Sequence, residues 1–279
     1  QNTLDMYVET SKGKGYIQHN LIDFGDTLGS VWEPPTMGRR IGHSSYLALD
    51  HVFADFLSFG LIKRPWEENR FGVSKKVWAY YKVSDFQPDA WHPGYPNPAT
   101  GRMSERDGAW MARIVARMTP AHVKAMIGAG HIQPPALRVE LERIMLGRRM
   151  RVLGRYLSGV SPLTDPTVAG GQMCLADLVV TSGLATASQR RYSSSAWVGK
   201  QLEPAKTAHR ALGGKVCVTL PQVSGATPST PKFLLVDVIG QTGGQSPNPA
   251  RVHLYDLGGG SYKVAGIERP YNNDPPASE

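Results

Sequence analysis

The residues with the clearest chemical potential lie near the start of the chain, where a β-prone stretch separates Asn2 from the triplet Asp23-Phe24-Gly25. The amide oxygen of asparagine and the carboxylate of aspartate are oxygen ligands of the kind that Mg²⁺ binds, and Mg²⁺ bridges the phosphates of ATP. A glycine after this carboxylate allows the backbone to turn sharply. The pattern predicts a site for Mg²⁺ and ATP formed by Asn2, Asp23 and Gly25. The structural alternative is that Asp23 caps a turn or helix beginning near Thr27.

A β-hairpin is predicted to bring Asn2 and Asp23 together. Residues 3–8 and 16–22 are β-prone, and the linker at 11–15 contains two glycines that can adopt a positive φ angle. If the two strands pair, the residues at their outer ends become neighbours and can share one cation.

Helices are predicted from hydrophobic spacing at 44–59, 105–118, 121–127 and 137–156. Ser104 with Asp107 three residues later resembles a capping box before the second of these helices. The last three helices are expected to pack together through large apolar side chains. These are Ile114, Val123, Met126, Leu141, Ile144 and Leu153.

The composition changes near residue 158, beyond which charged residues become sparse and short apolar runs alternate with Gly and Pro. Strands are predicted at 216–220, 233–239, 251–257 and 262–267. We therefore expect two domains, 1–157 and 158–279. The predicted fold class is α+β, with a first domain that is mainly helical after its opening hairpin and a second that is a small antiparallel β module.

The composition excludes several classes of protein. The chain has 279 residues, 41% of them hydrophobic and 19% charged, which is typical of a globular protein rather than a disordered one. No apolar stretch approaches the length of a membrane-spanning helix. The sequence contains no Gly-x-Ser-x-Gly, His-Glu-x-x-His, Cys-x-x-Cys or Walker A motif. Cys174 and Cys217 can form a disulfide in an exported protein or remain as two buried thiols.

Longer stretches of the chain resemble a family of largely uncharacterised bacterial proteins, many of them exported. The most specific stretch is His19-Asn-Leu-Ile-Asp-Phe-Gly-Asp-Thr-Leu-Gly-Ser30, and others lie at 2–8, 95–98, 107–117, 252–254 and 266–269. The central region of that family resembles the catalytic core of atypical kinases of the HipA, spore-coat CotH and lipid-kinase kind.

This resemblance implies a role for each of the residues identified above. Asn2 matches the metal-binding Asn of the kinase catalytic loop, and Asp23 matches the metal-binding Asp of the Asp-Phe-Gly motif. The first domain would then be a kinase-like C-lobe. The catalytic Asp and the N-lobe are expected upstream of Gln1, so the chain is expected to be a fragment.

Two functions follow as expectations. The first is an atypical kinase-like phosphotransferase that uses Mg-ATP on an unknown acceptor. The second is a pseudokinase-type binding or scaffold protein of the cell envelope, without catalysis, whose β module docks a protein partner or a cell-envelope component. The net charge of +8 also suggests a phosphate-polymer or nucleic-acid binder, but the basic pairs are scattered, which is typical of solvated surface charge. These pairs are Arg39/Arg40, Lys75/Lys76, Arg148/Arg149 and Arg190/Arg191.

Overall fold

The computed structural model describes residues 2–11, 13–22, 49–62, 83–84, 86–90, 102–243 and 248–271. The chain divides into two compact units. The first comprises Gln1–Gly101 and Ile127–Met145, and the second comprises Arg102–Met126 and Leu146–Glu279. The sequence-based domain boundary near residue 158 stays a prediction.

The first unit begins with the predicted hairpin, which the structure confirms. Strands β1 (Asn2–Ser11) and β2 (Lys14–Ile22) pair antiparallel. Gly13 in the connection has a φ of 75°, a conformation that glycine adopts without a steric penalty. Its backbone N–H donates a 2.8 Å hydrogen bond to the Glu9 side chain, which holds the turn closed.

The predicted helices are confirmed over the described residues. They are α1 (Leu49–Leu57), α2 (Glu105–Ala116), α3 (Pro120–Ala129) and α4 (Pro135–Tyr156). Residues 44–48 of the first prediction lie outside the described residues. The capping box is present: the Asp107 carboxylate accepts from the Ser104 backbone N–H at 2.8 Å, while the Ser104 hydroxyl accepts from the Asp107 N–H at 3.3 Å. The hydrogen bond from the Ser104 backbone is the main reason that the pKa of Asp107 is lowered.

The six side chains expected to pack together do not form one core, since Leu141 and Ile144 lie in one hydrophobic cluster and Leu153 in another. Val123, Leu141, Ile144 and Leu153 are buried, whereas Ile114 is 42% exposed and Met126 is 50% exposed. Helix α2 instead buries a face of small residues, which are Gly108, Ala109, Ala112 and Ala116. A side chain at Gly108 would collide with the ring of Tyr156, so α2 approaches α4 too closely for large residues to lie between them.

Two antiparallel sheets lie in the second unit. The four-stranded sheet has the order β3-β4-β8-β7, with β3 (Leu163–Ala169), β4 (Gln172–Asp177), β7 (Ala208–Leu212) and β8 (Lys215–Thr219). The five-stranded sheet has the order β11-β10-β9-β5-β6, with β5 (Arg190–Val198), β6 (Glu203–Ala205), β9 (Lys232–Thr242), β10 (Ala250–Asp256) and β11 (Tyr262–Glu268). A short helix, α5 (Leu178–Thr181), follows β4.

The two sheets share one hydrophobic core, which confirms the predicted antiparallel β module. Its buried residues include Met173, Leu175, Val216 and Val218 from the four-stranded sheet and Leu234, Val236, Val238, Val252 and Leu254 from the five-stranded sheet. These residues alternate along their strands because successive side chains point to opposite faces of a sheet. The arrangement is that of two sheets packed face to face.

The predicted α+β fold, with a mainly helical first domain in the form of a kinase-like C-lobe, is wrong. The described residues contain more strand than helix, arranged in three antiparallel sheets and accompanied by five α-helices. The excess of strand comes partly from β3 to β7, which the sequence analysis did not predict. Strand β5 contains three consecutive serines, so its pairing with β9 depends on tertiary context rather than on β propensity.

The two cysteines form a disulfide bond. Cys174 in β4 lies directly opposite Cys217 in β8, with their Cα atoms 4.0 Å apart. Of the two alternatives left by the sequence, the structure contains the bonded pair.

Candidate functional site

The predicted metal site lies at the open end of the first hairpin. Asn2 in β1 pairs with Ile22 in β2, and Asp23 is the next residue of the chain. Asp23 and Gly25 lie outside the described residues, so the structure describes the backbone partner of Asn2 and not the predicted ligand set. The turn that closes the hairpin is at the far end of both strands.

The donor groups of Asn2 and Asp23 suit a small hard cation. Mg²⁺ favours oxygen ligands, and it is usually bound through one or two protein groups together with water and substrate phosphates. A single amide and a single carboxylate would therefore be a sufficient protein contribution. In the part of the chain that the structure describes, no group of three or more His, Cys, Asp and Glu side chains could hold a metal.

A second concentration of polar groups is buried in the β module around Asp177. Asp177 has no solvent exposure and is the N-cap residue of α5. Its Oδ1 accepts a hydrogen bond from the Val179 N–H at 3.0 Å. Its Oδ2 accepts from Arg190 Nε at 2.7 Å and from the Tyr192 hydroxyl at 2.8 Å. Burial raises the pKa of Tyr192, and its hydrogen bond to the Asp177 carboxylate raises it further. The network joins β4 of one sheet to β5 of the other.

Arg190 completes this network and borders a cleft. Its Nη1 donates to Thr242 Oγ1 at 3.1 Å, while its buried Nη2 has no hydrogen-bond partner among the described residues. Gly240 leaves room for the guanidinium, because a Cβ there would lie 2.6 Å from Nη2.

The cleft beside Arg190 has a volume of about 260 Å³. Apolar side chains from α4 and from the segment after β4 form much of its wall, and they include Leu153, Leu157, Val179 and Leu184. Because Asp177 already balances the charge of Arg190, the cleft suits a small and mostly apolar molecule better than an anion.

The sequence pattern does not predict this network. As members of scattered basic pairs, Arg190 and Arg149 are expected to be solvated, but they are only 6% and 9% exposed. Arg149 Nη2 donates to the Ala116 carbonyl at 2.9 Å, which satisfies a backbone acceptor at the end of α2. The spacing of Arg190 and Tyr192 places both on one face of a strand, but nothing local in the sequence identifies Asp177 as their partner.

None of the described helices is long and apolar enough to cross a membrane. Comparison with protein-family models, with curated proteins and with solved structures found no match to this chain.

Proposed function

We propose that the chain is part of a phosphotransferase that uses Mg-ATP, with Asn2 and Asp23 as its two protein ligands for Mg²⁺. Gly25 would let the backbone turn away behind the metal. The acceptor is unidentified. The proposal does not depend on a helical kinase-like lobe.

The observation that carries the proposal is the register of the hairpin. Ile22 is the cross-strand partner of Asn2, and Asp23 is the next residue in the chain after Ile22. Directly opposed residues in an antiparallel pair have Cα atoms about 4.5–5.5 Å apart, and successive Cα atoms are about 3.8 Å apart. In a continued strand the side chain of residue 23 would lie on the face opposite to that of Asn2, so a shared cation requires that the chain leave the strand after Ile22, as Gly25 would allow. The turn containing Gly13 maintains this register.

The charges of the Asp23 carboxylate and the Asn2 amide give them different proposed roles. Mg²⁺ neutralises phosphate oxygens and orients the nucleotide when it is bound. The carboxylate of Asp23 would provide the negative charge that retains the cation, while the neutral amide of Asn2 would provide a directional oxygen ligand.

A second candidate is a binding or scaffold role in the cell envelope without catalysis. The disulfide between Cys174 and Cys217 favours it, because such bonds form and persist in oxidising compartments such as the periplasm or the cell exterior. Export would suit a structural module stabilised across β4 and β8. In this case the predicted metal residues would have only a structural role.

Calorimetric titration of the full-length protein with ATP, with and without Mg²⁺, tests the first candidate. We expect binding that requires Mg²⁺ and that falls below detection in Asp23→Asn, because the amide keeps the shape of the side chain but removes its charge. Glu9→Gln is a matched control, because the amide oxygen of glutamine can still accept the hydrogen bond from the Gly13 N–H. It removes the same charge from the same hairpin, seven residues along β1 from Asn2, or about 23 Å at the usual rise per strand residue.

The outcomes separate the two candidates. Loss of binding in Asp23→Asn but not in Glu9→Gln supports the metal site. ATP affinity that is equal in Asp23→Asn and in the wild type contradicts the ligand assignment. Absence of Mg²⁺-dependent ATP binding in the wild-type protein contradicts the phosphotransferase and leaves the scaffold role.

A further inference from the structure

A group of three arginines and one aspartate, here called the arginine cluster, lies in the second unit. Arg113 is in α2, and Arg117 lies one turn later at the end of the same helix, where the backbone is still helical. Arg117 Nη2 donates to Asp165 Oδ1 in β3 at 2.9 Å. Arg269, which directly follows β11, donates from Nη2 to the Leu163 carbonyl of β3 at 2.9 Å. Arginines from two elements therefore converge on the start of one strand.

The arginine cluster has more positive charge than its own carboxylate can balance. Asp165 is paired with Arg117, and the structure gives neither Arg113 nor Arg269 a carboxylate partner in the part of the chain that it describes. Arg113 Nη1 and Arg269 Nε are buried and have no hydrogen-bond partner among the described residues. Buried charges in proteins are normally paired, so two partly buried guanidinium groups without a counter-ion are unusual.

The electrostatic environment of the two unpaired arginines agrees with this geometry. The pKa of Arg269 is lowered to about 10, mainly by burial and also by the nearby charge of Arg113, while Asp165 opposes the shift. Burial also lowers the pKa of Arg113. Arg113 and Arg269 are therefore near enough to repel each other. An anion bound between them would relieve both the repulsion and the loss of solvation.

Asp165 has an unfavourable backbone conformation. Its φ is 51°, in the left-handed region, and it precedes Pro166. Residues before proline favour extended conformations, and aspartate is among the few non-glycine residues that enter the left-handed region. The tertiary structure thus directs the carboxylate to Arg117, and Arg113 and Arg269 remain without a counter-ion.

We propose that the arginine cluster is a binding site for a dianionic phosphoryl group, with Arg113 and Arg269 as its principal ligands. Two uncompensated positive charges match a phosphate monoester, whereas a single carboxylate would leave one of them unbalanced. The planar guanidinium also presents paired N–H donors that fit the oxygens of a phosphoryl group. All three arginines come from two of the stretches that the sequence analysis singled out, 107–117 and 266–269.

This site goes beyond the proposed phosphotransferase and is independent of it. None of the residues of the arginine cluster belongs to the hairpin that contains Asn2. The experiment below uses no nucleotide and no Mg²⁺, so its failure and the failure of the Mg-ATP site are distinguishable.

The experiment is calorimetric titration of the full-length protein with inorganic phosphate at low ionic strength, with acetate as the carboxylate comparison. We expect phosphate to bind and acetate to bind at least about 10-fold more weakly. Arg113→Gln and Arg269→Gln should each weaken phosphate binding by at least about 10-fold, because each removes a charge-assisted hydrogen-bonding group. Arg210→Gln is the matched control, since Arg210 is exposed in β7 and its loss changes the net charge by the same amount.

A further variant, Asp165→Asn, is expected to bind phosphate more tightly than the wild type. It removes the only carboxylate of the arginine cluster and frees Arg117, while asparagine tolerates the same left-handed backbone conformation. Loss of binding in an arginine variant could result from destabilisation of the unit. A gain in affinity in Asp165→Asn cannot, so this variant tests the site independently of stability.

Several results would overturn the proposal. These are no phosphate binding by the wild type at millimolar concentration, equal affinities for phosphate and acetate, a loss in Arg210→Gln as large as that in Arg113→Gln, or weaker binding in Asp165→Asn. The combination of losses in the two cluster arginines with a gain in Asp165→Asn supports it.

Discussion

Replacement of Arg190 by methionine tests whether the buried network around Asp177 stabilises the β module. The side chains of Arg190 and Asp177 are 3% and 0% exposed, and they are joined by a 2.7 Å hydrogen bond. Methionine has a similar length and no charge, so Arg190→Met leaves a carboxylate in the core with only the Val179 N–H and the Tyr192 hydroxyl as partners.

The expected loss follows from the cost of leaving one buried charge unpaired, which is about 3–5 kcal/mol. The lower part of this range applies because the substitution also removes Nη2, a buried donor that has no partner among the described residues. We therefore expect the free energy of unfolding to fall by about 3 kcal/mol. For a unit of this size the melting temperature should fall by about 6–12 °C.

The assay is urea and thermal unfolding of the wild type, Arg190→Met, Asp177→Asn and the double variant. The double variant should be more stable than Arg190→Met alone, because an amide at position 177 is neutral and can still accept from the Val179 N–H. Arg251→Met is the matched control. Arg251 is paired with Asp237 in the same sheet but is 34% exposed, so its loss should cost about 1 kcal/mol or less.

Two results would refute this reasoning. One is an Arg190→Met variant no less stable than Arg251→Met. The other is a double variant whose destabilisation equals the sum of the two single variants, since additivity means that the groups do not interact.

Two further predictions concern the helices and the pH dependence of stability. Ile144→Asp should lower the free energy of unfolding by several kcal/mol, because Ile144 is 3% exposed. Ile114→Asp should lower it by about 1 kcal/mol or less, because Ile114 is 42% exposed. Denaturant unfolding of both variants measures the difference. Because the pKa of Tyr192 is raised in the folded state above its ordinary value of 10, its contribution to stability is present below about pH 10 and is lost as the pH rises further. The melting temperature of Tyr192→Phe should consequently fall less steeply above pH 10 than that of the wild type, and an equal slope would show that Tyr192 does not contribute.

Features that depend on neighbouring residues could be predicted from the sequence. The hairpin depends on glycines between two β-prone runs, and the start of α2 depends on the Ser104–Asp107 pair. The run of apolar, largely β-branched and aromatic residues at 233–239 likewise predicted strand β9. Because a short turn sets the register of a hairpin, the same information predicted that Asn2 would lie at the open end of a strand pair. The metal-binding roles of Asn2 and Asp23 stay predictions.

Features that depend on distant residues were decided by the tertiary structure. Helical spacing indicated that α2 is amphipathic but not that its alanine and glycine face would be buried, because that choice depends on how closely α4 approaches. Likewise, β5 is a strand because β9 and β6 pair with it, although its own serines favour no regular structure. In the sequence, Arg190 and Arg269 cannot be told apart from solvated arginines. Only their burial against other elements distinguishes them. Burial and ion pairing are set by contacts between segments far apart in the chain, and a local pattern of residue types contains no information about those contacts.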